Sequence, residues 1–142
     1  MERSKKKELI YPELSYQLNG ILFMCHNKLG RYRSEKEYGD FLEKAFKNYN
    51  IDFEREKSIP PSFKGEQPRR NIVDFVIDNK ILLELKTKLI ISKDDYFQMQ
   101  RYLEAYNYKL GVIANFRQKY LRPKRIVNKN FYHSYDIGVK FA

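Results

Sequence analysis

The sequence has one cysteine and no tryptophan among its 142 residues. A single cysteine, Cys25, excludes an internal disulfide bond and a cysteine-rich zinc site. No apolar run approaches the roughly 20 residues that a membrane-spanning helix needs. The charged stretch from Met1 to Glu8 also lacks the apolar segment of a signal peptide. We therefore expect a cytoplasmic protein without a membrane segment.

The composition is that of one basic globular domain. Hydrophobic residues make up 42% and charged residues 32%, and the net charge is +10. That charge favours a polyanionic partner, and we place nucleic acid before an anionic membrane surface. The chain has 12 tyrosines and 10 phenylalanines, which could fill a core or stack on bases. Composition alone does not choose between the two roles.

Periodicity and turn signals divide the chain into a basic lead-in (1–10), one domain (11–128) and a tail (129–142) that we do not assign. Three helices and at least four strands are predicted. Gly30 should end the first helix. Ser34 with Glu37, and Ser92 with Asp95, should begin the next two. The predicted elements are helices over 14–29, 34–50 and 92–106, strands over 51–59, 71–77, 80–89 and 109–114, and a further strand within 121–127.

This order predicts an α/β fold. Three consecutive strands without intervening helices indicate an antiparallel meander, and the helix before the fourth strand indicates a crossover connection. The sheet should therefore be mixed, with helices on its faces.

The most informative segments are the second and third strands. Glu84 and Lys86 share one face of the stretch 81–86, which is otherwise leucine and isoleucine. Asp74 lies between apolar residues in the neighbouring strand. Two nearby carboxylates repel each other, and a hard divalent cation such as Mg²⁺ relieves that repulsion. A lysine beside them could position a water and offset charge on a phosphate.

The pairing of these strands decides whether the carboxylates meet. If Asp74 stands opposite Glu84, Ile77 pairs with Ile81 across a three-residue loop, in which Asn suits a left-handed position. A two-residue loop would instead set Asp74 opposite Leu83 and separate the acids. The alternative to a catalytic role is an ordinary salt bridge of Glu84 with Lys86 or across the strands.

Asp74, Glu84 and Lys86 resemble the motif of PD-(D/E)XK nucleases. Over about 12–128 the chain is most similar to one branch, the small prokaryotic GxxExxY proteins. The matching stretches are HNKLG (26–30), Glu35 with Tyr38, FERE (53–56), ILLELK (81–86), Gln98 with RYL (101–103), LGVIANF (110–116) and RIV (125–127). Tyr32, Val73 and Arg101 depart from the branch, since Gly, Pro and Asn are usual there.

The resemblance implies a restriction-endonuclease-like αβββαβ core and a nuclease that uses Mg²⁺ or Mn²⁺. It also implies that Glu35 joins Asp74 and Glu84 near the metal, and that Gln98 faces the same site. Each role has a structural alternative: acids are common in the first turn of a helix, and Gln98 could simply be solvated. His26 and Tyr38 are substrate-contact candidates whose alternative is core packing.

Two basic stretches are candidate phosphate contacts. Arg69 and Arg70 precede the Asp74 strand, and the run 119–125 (KYLRPKR) includes Tyr120, Lys124 and Arg125. We expect nucleic acid as substrate, with DNA favoured over RNA. The alternative is a catalytically silent module that binds nucleic acid or protein. A homodimer is a further hypothesis, because so small a chain offers little surface for base recognition.

Overall fold

The computed structural model describes residues 10–61, 63–67 and 71–130. Within these ranges no helix has the length and apolar character needed to cross a membrane. Arg69, Arg70 and nearly all of the basic lead-in and of the tail lie outside the described residues. The elements in chain order are α1 (Pro12–Leu29), α2 (Glu35–Asn48), β1 (Phe53–Ser58), β2 (Ile72–Ile77), β3 (Ile81–Lys86), α3 (Lys93–Tyr106), β4 (Leu110–Asn115) and β5 (Lys124–Val127).

The helices begin and end where the local signals predict. Ser34 and Ser92 each form a capping box, with Glu37 and Asp95 respectively. Each pair satisfies backbone N–H groups that the first helical turn leaves unbonded. Gly30 follows α1 with a φ of 79°, a conformation that costs glycine little. The predicted helix limits are therefore confirmed to within two residues.

The strands form one mixed sheet in the order β1-β2-β3-β4-β5. β1, β2 and β3 are antiparallel neighbours, whereas β4 runs parallel to β3 and β5 antiparallel to β4. The meander and the crossover through α3 are confirmed, and so is the α/β fold class. The final strand is shorter than the 121–127 window, since pairing starts at Lys124.

Two apolar cores lie on the two faces of the sheet. One face packs against α1 and α2 through residues such as Leu22, Phe46 and Phe75. The other face packs against α3, where Met99 and Leu103 meet side chains of the central strands. Polar side chains at the carboxyl end of β3 therefore lie close to both apolar cores, and burial alters their pKa values.

Candidate functional site

Asp74 and Glu84 bind each other's strands through their side chains. β2 and β3 pair Phe75 with Leu83 and Ile77 with Ile81, so the same register carried further sets Asp74 opposite Glu84. There the Asp74 N–H donates to Glu84 Oε1 at 2.8 Å, and the Leu85 N–H donates to Asp74 Oδ2 at 2.7 Å. The predicted register is confirmed, and carboxylates replace ladder hydrogen bonds at this point.

A tight turn fixes that register. Asp78, Asn79 and Lys80 form the three-residue loop, and both Asp78 and Asn79 have a φ of 52°. Asp and Asn tolerate this left-handed conformation better than other non-glycine residues. The loop sequence therefore brings the two acids together at the far end of the strands.

Both carboxyl groups resist ionisation. Burial raises the pKa of Glu84, and the nearby charge of Asp74 raises it further. Burial likewise raises the pKa of Asp74; the Leu85 N–H opposes this, and the charge of Glu35 adds to it. These are the shifts expected of like charges confined in a poorly hydrated place. A cation in contact with both would favour their charged forms.

Lys86 lies between acids from two elements. Its Nζ is 3.9 Å from Glu84 Oε2 and 3.6 Å from Asp95 Oδ1, and its side chain is only 18% exposed. Asp95 is also buried, and Oδ2 accepts from Lys88 Nζ at 2.6 Å. The sequence showed Asp95 only as a helix cap, so its contact with Lys86 was missed. Local sequence patterns do not predict a contact between β3 and a residue of the distant helix α3.

A groove of about 240 Å³ opens beside Asp74. Glu35, in the first turn of α2, lines it together with Asp74 and Glu56. Glu56 stands opposite Asp74 in the register of β1 with β2 and has a φ of 55°, an uncommon conformation for a strand residue. Glu35 thus lies near the central acids. Glu56 is an acid of the same groove that the loose alternation of its strand did not reveal.

Gln98 lies on the face of α3 that also carries Asp95, and a contact of Gln98 with the site stays a prediction. It is half-buried and follows Asp95 by three residues, so the two share a helix face. Tyr102, four residues further along, is buried on this face. Burial raises the pKa of the Tyr102 hydroxyl to about 12, and the charge of Glu84 adds to the effect. Tyr102 therefore lies near the acids, although the sequence marked it only as part of the RYL match.

His26 and Tyr38 connect the loops beside the site. The His26 Nε2–H donates to the Gln118 carbonyl at 2.8 Å. The buried Tyr38 hydroxyl donates to the Gly30 carbonyl at 2.6 Å and accepts from the Arg33 N–H. Neither side chain has a hydrogen bond to Asp74 or Glu84 in the described part of the chain. Their observed contacts match the packing alternative, and substrate contact stays a prediction.

Two of the basic candidates, Lys124 and Arg125, lie in β5 and have their observed contacts elsewhere. Arg125 donates to the Ser15 hydroxyl at 2.7 Å and to the Ile10 carbonyl at 3.0 Å, so its guanidinium joins β5 to the start of α1. Lys124 is exposed and pairs with Ile113 in the sheet. The structure does not bring either residue into contact with Asp74, Glu84 or Lys86.

The residues at this place fit a hard divalent cation. Within the described ranges no three His, Cys, Asp or Glu side chains stand close enough to form a metal cage by themselves. Mg²⁺, however, is usually bound by one or two carboxylates and keeps several waters. Asp74 and Glu84 supply such a pair, and burial together with the charge of neighbouring acids raises the pKa of both.

Comparison with known proteins gives one match. A family model described as the PD-(D/E)XK nuclease superfamily matches residues 12–127. The match covers every helix and strand described above. No match was found among curated proteins or solved structures. The finer similarity to GxxExxY proteins stays a prediction.

Proposed function

Because the chain belongs to the PD-(D/E)XK nuclease superfamily, we propose that it is a metal-dependent nuclease that hydrolyses phosphodiester bonds in nucleic acid, with DNA favoured over RNA. The observation that supports this most directly is that the Asp74 and Glu84 carboxylates each accept a backbone N–H from the other's strand, with Lys86 beside them. A buried pair of acids has little structural value by itself, because desolvation opposes it.

The site residues divide the chemistry among them. Asp74 and Glu84 would hold Mg²⁺ or Mn²⁺, with Glu35 at the edge of the groove, and the bound ion would supply Lewis-acid stabilisation to phosphate oxygens. Lys86 orients the attacking water and stabilises negative charge on the phosphoryl oxygens. The water oxygen forms a bond to phosphorus and releases a proton to solvent, the bond to the leaving oxygen breaks, and the leaving oxygen takes up a proton from solvent.

Other residues maintain this arrangement. Asp95 and Glu84 together restrain Lys86, so that the ammonium group remains at the strand end. Gln98 lies one turn along α3 from Asp95 and would hydrogen-bond a water or phosphate oxygen at the site. Burial between the two cores limits water, which strengthens each of these electrostatic interactions.

A cleavage assay tests the proposal. Wild-type protein, Lys86→Ala and the control Lys80→Ala are incubated with single-stranded DNA, duplex DNA and RNA in Mg²⁺, Mn²⁺ or EDTA. Lys80 pairs with Asp78 in the exposed turn at the other end of the strands, so its removal leaves the site intact. We expect metal-dependent cleavage that falls roughly a hundredfold or more in Lys86→Ala and persists in Lys80→Ala.

Two results would count against hydrolysis. Cleavage that survives EDTA, or that Lys86→Ala leaves unchanged, would come from another site or a contaminant. Binding of nucleic acid without cleavage in any ion would favour the silent binding module.

A further inference from the structure

Two loops meet beside the carboxyl ends of β3 and β4 and form a basic aromatic surface. Its members are Arg31 and Tyr32 from the α1–α2 loop and Arg117, Lys119 and Tyr120 from the β4–β5 loop; we call it the loop platform. We propose that the loop platform binds unpaired bases of single-stranded nucleic acid and delivers the adjoining phosphate to the acids. This inference rests on the proposed function and adds its substrate class.

The aromatic rings of the platform are open to solvent. Tyr32 is 75% and Tyr120 69% exposed. Both rings are therefore accessible to a ligand. The Arg31 and Arg117 guanidinium groups lie 5.1 and 5.5 Å from the Tyr32 ring centre, and Lys119 Nζ lies 5.4 Å from that of Tyr120. Aromatic rings and arginine planes are the groups on which unpaired bases stack.

Among the residues that the structure describes, no acid forms an ion pair with the basic side chains of the platform. None of Arg31, Arg117 and Lys119 forms an ion pair with the described residues, whereas Arg33 in the same loop is paired with Glu37. Two guanidinium groups share the Tyr32 ring, and Arg31 donates to the Arg117 carbonyl rather than to an acid. A polyanion would supply the missing counter-charge.

The platform is held in place before any ligand binds. Tyr38 stacks on Phe116, with ring centres 4.2 Å apart, and its hydroxyl bonds to both ends of the 30–33 segment. The hydrogen bond from His26 to Gln118 joins the second loop to α1. A surface whose geometry is fixed in advance loses less entropy when it binds.

The platform also adjoins the candidate site. Lys86 and Asn115 are neighbours in the parallel pair, and the Phe116 N–H donates to the Lys86 carbonyl at 2.9 Å. The β4–β5 loop therefore starts where the Lys86 strand ends. Tyr32 precedes Glu35, a groove residue, by three positions, a distance of at most about 10 Å. A single strand of nucleic acid bound to the loop platform would thus pass close to Asp74 and Glu84.

Unpaired bases, and not a duplex, fit these features. In a duplex the base faces are covered by neighbouring pairs, so an exposed tyrosine cannot stack on them without disrupting the helix. Phosphate contacts, in contrast, can be made to both forms. The aromatic part of the platform therefore predicts a preference for single strands, and its basic part predicts dependence on salt.

The test measures fluorescence anisotropy of a labelled oligonucleotide, single-stranded or annealed to its complement, in EDTA. The variants are Tyr32→Ala, Tyr120→Ala and Tyr32→Phe, and the control is Tyr16→Ala. Tyr16 is 82% exposed near the start of α1, about 20 Å along the helix from its end. We expect each platform Tyr→Ala to weaken single-strand binding about tenfold and duplex binding less than about twofold. Tyr32→Phe and Tyr16→Ala should bind like wild type.

Two outcomes would overturn the inference: unchanged single-strand binding in both alanine variants, or equal losses for single strand and duplex. Arg117→Gln should in addition reduce the slope of log affinity against log salt by about one. The cleavage assay separates this inference from the proposed function. If binding depends on the tyrosines but no cleavage depends on Lys86, the platform is supported and the proposed hydrolysis is rejected. If cleavage depends on Lys86 but binding does not depend on the tyrosines, the hydrolysis is supported and the platform is rejected.

Discussion

At the scale of single residues, Asp95 shows how one side chain can serve folding and chemistry together. Its Oδ2 accepts the Ser92 N–H at 2.9 Å and Lys88 Nζ, which fixes the carboxylate at the start of α3. Its Oδ1 is then aimed at Lys86 Nζ, 3.6 Å away. The helix cap therefore holds in place the acid that restrains the lysine. Burial alone would raise the pKa of Asp95, but its bonds to Lys88 and Ser92 lower it to about 2.

Asp95→Asn should test this linkage through pH. The asparagine side-chain oxygen can still accept the Ser92 N–H but carries no charge for Lys86 and Lys88. The pKa of Asp95 is lowered on folding from 3.8 to about 2, so its charge stabilises the fold above about pH 4, and this stability is lost as pH falls towards 2. The variant should be less stable than wild type by about 2 kcal/mol at pH 7.

Urea denaturation at several pH values measures the difference between the two proteins. It should shrink steadily between about pH 4 and pH 2. A difference that is constant over this range would show that the charge of Asp95 does not contribute in the way described.

At the scale of elements, the close contact of α3 with β4 positions the residues of the helix. Gly111 in β4 lies directly under Met99, which is 1% exposed. A Cβ at Gly111 would collide with the thioether of Met99, so only glycine lets the helix approach this closely. The same helix carries Asp95, Gln98 and Tyr102 towards the strand ends. Its distance from the sheet therefore sets the distance of these side chains from Lys86.

Gly111→Ala should lower the free energy of unfolding by about 1–3 kcal/mol, because the new methyl group would displace the buried thioether of Met99. The control is Gly20→Ala on the exposed side of α1, where a Cβ meets nothing within 4 Å; it should stabilise the protein by about 0.5–1 kcal/mol. Chemical denaturation measures both changes. Gly111→Ala with wild-type stability would show that α3 can shift without cost.

At the scale of the whole molecule, the distribution of charge is uneven. The protein carries a net charge of +10, yet Asp74, Glu84, Glu35 and Glu56 gather near one groove. A polyanion is attracted by the overall charge and repelled by this local cluster, unless a cation neutralises the acids. A homodimer, which would enlarge the basic surface, stays a prediction.

Binding of a divalent ion should therefore stabilise the fold. Mg²⁺ or Mn²⁺ at a hundred times its dissociation constant should contribute about 2.7 kcal/mol, seen as a rise in Tm. Asp74→Asn should abolish the response to the ion, although removing a buried charge will itself alter the Tm. Asp52→Asn, at an exposed position outside the groove, should respond like wild type. A response that persists in Asp74→Asn would place the ion elsewhere.

The sequence by itself determined the helices and strands and limited the pairing of the second and third strands to two registers, of which the observed one sets Asp74 opposite Glu84. Caps, turn residues and hydrophobic periodicity are local, and a three-residue loop leaves one pairing for the strands that it joins. The similarity of its motifs predicted the superfamily, which the match over 12–127 confirms. These features need no knowledge of how distant segments pack.

Only the tertiary structure decided which distant side chains surround that pair. The contact of Asp95 with Lys86 depends on how closely α3 packs on β4. The loop platform depends on two loops whose members Arg31 and Arg117 are 86 positions apart. The tertiary structure also decided that the guanidinium of Arg125 lies against the start of α1. Such contacts arise from the burial and packing of whole layers, which no local pattern encodes. For the same reason, composition could not say whether a tyrosine belongs to the core, like Tyr38, or to the surface, like Tyr32.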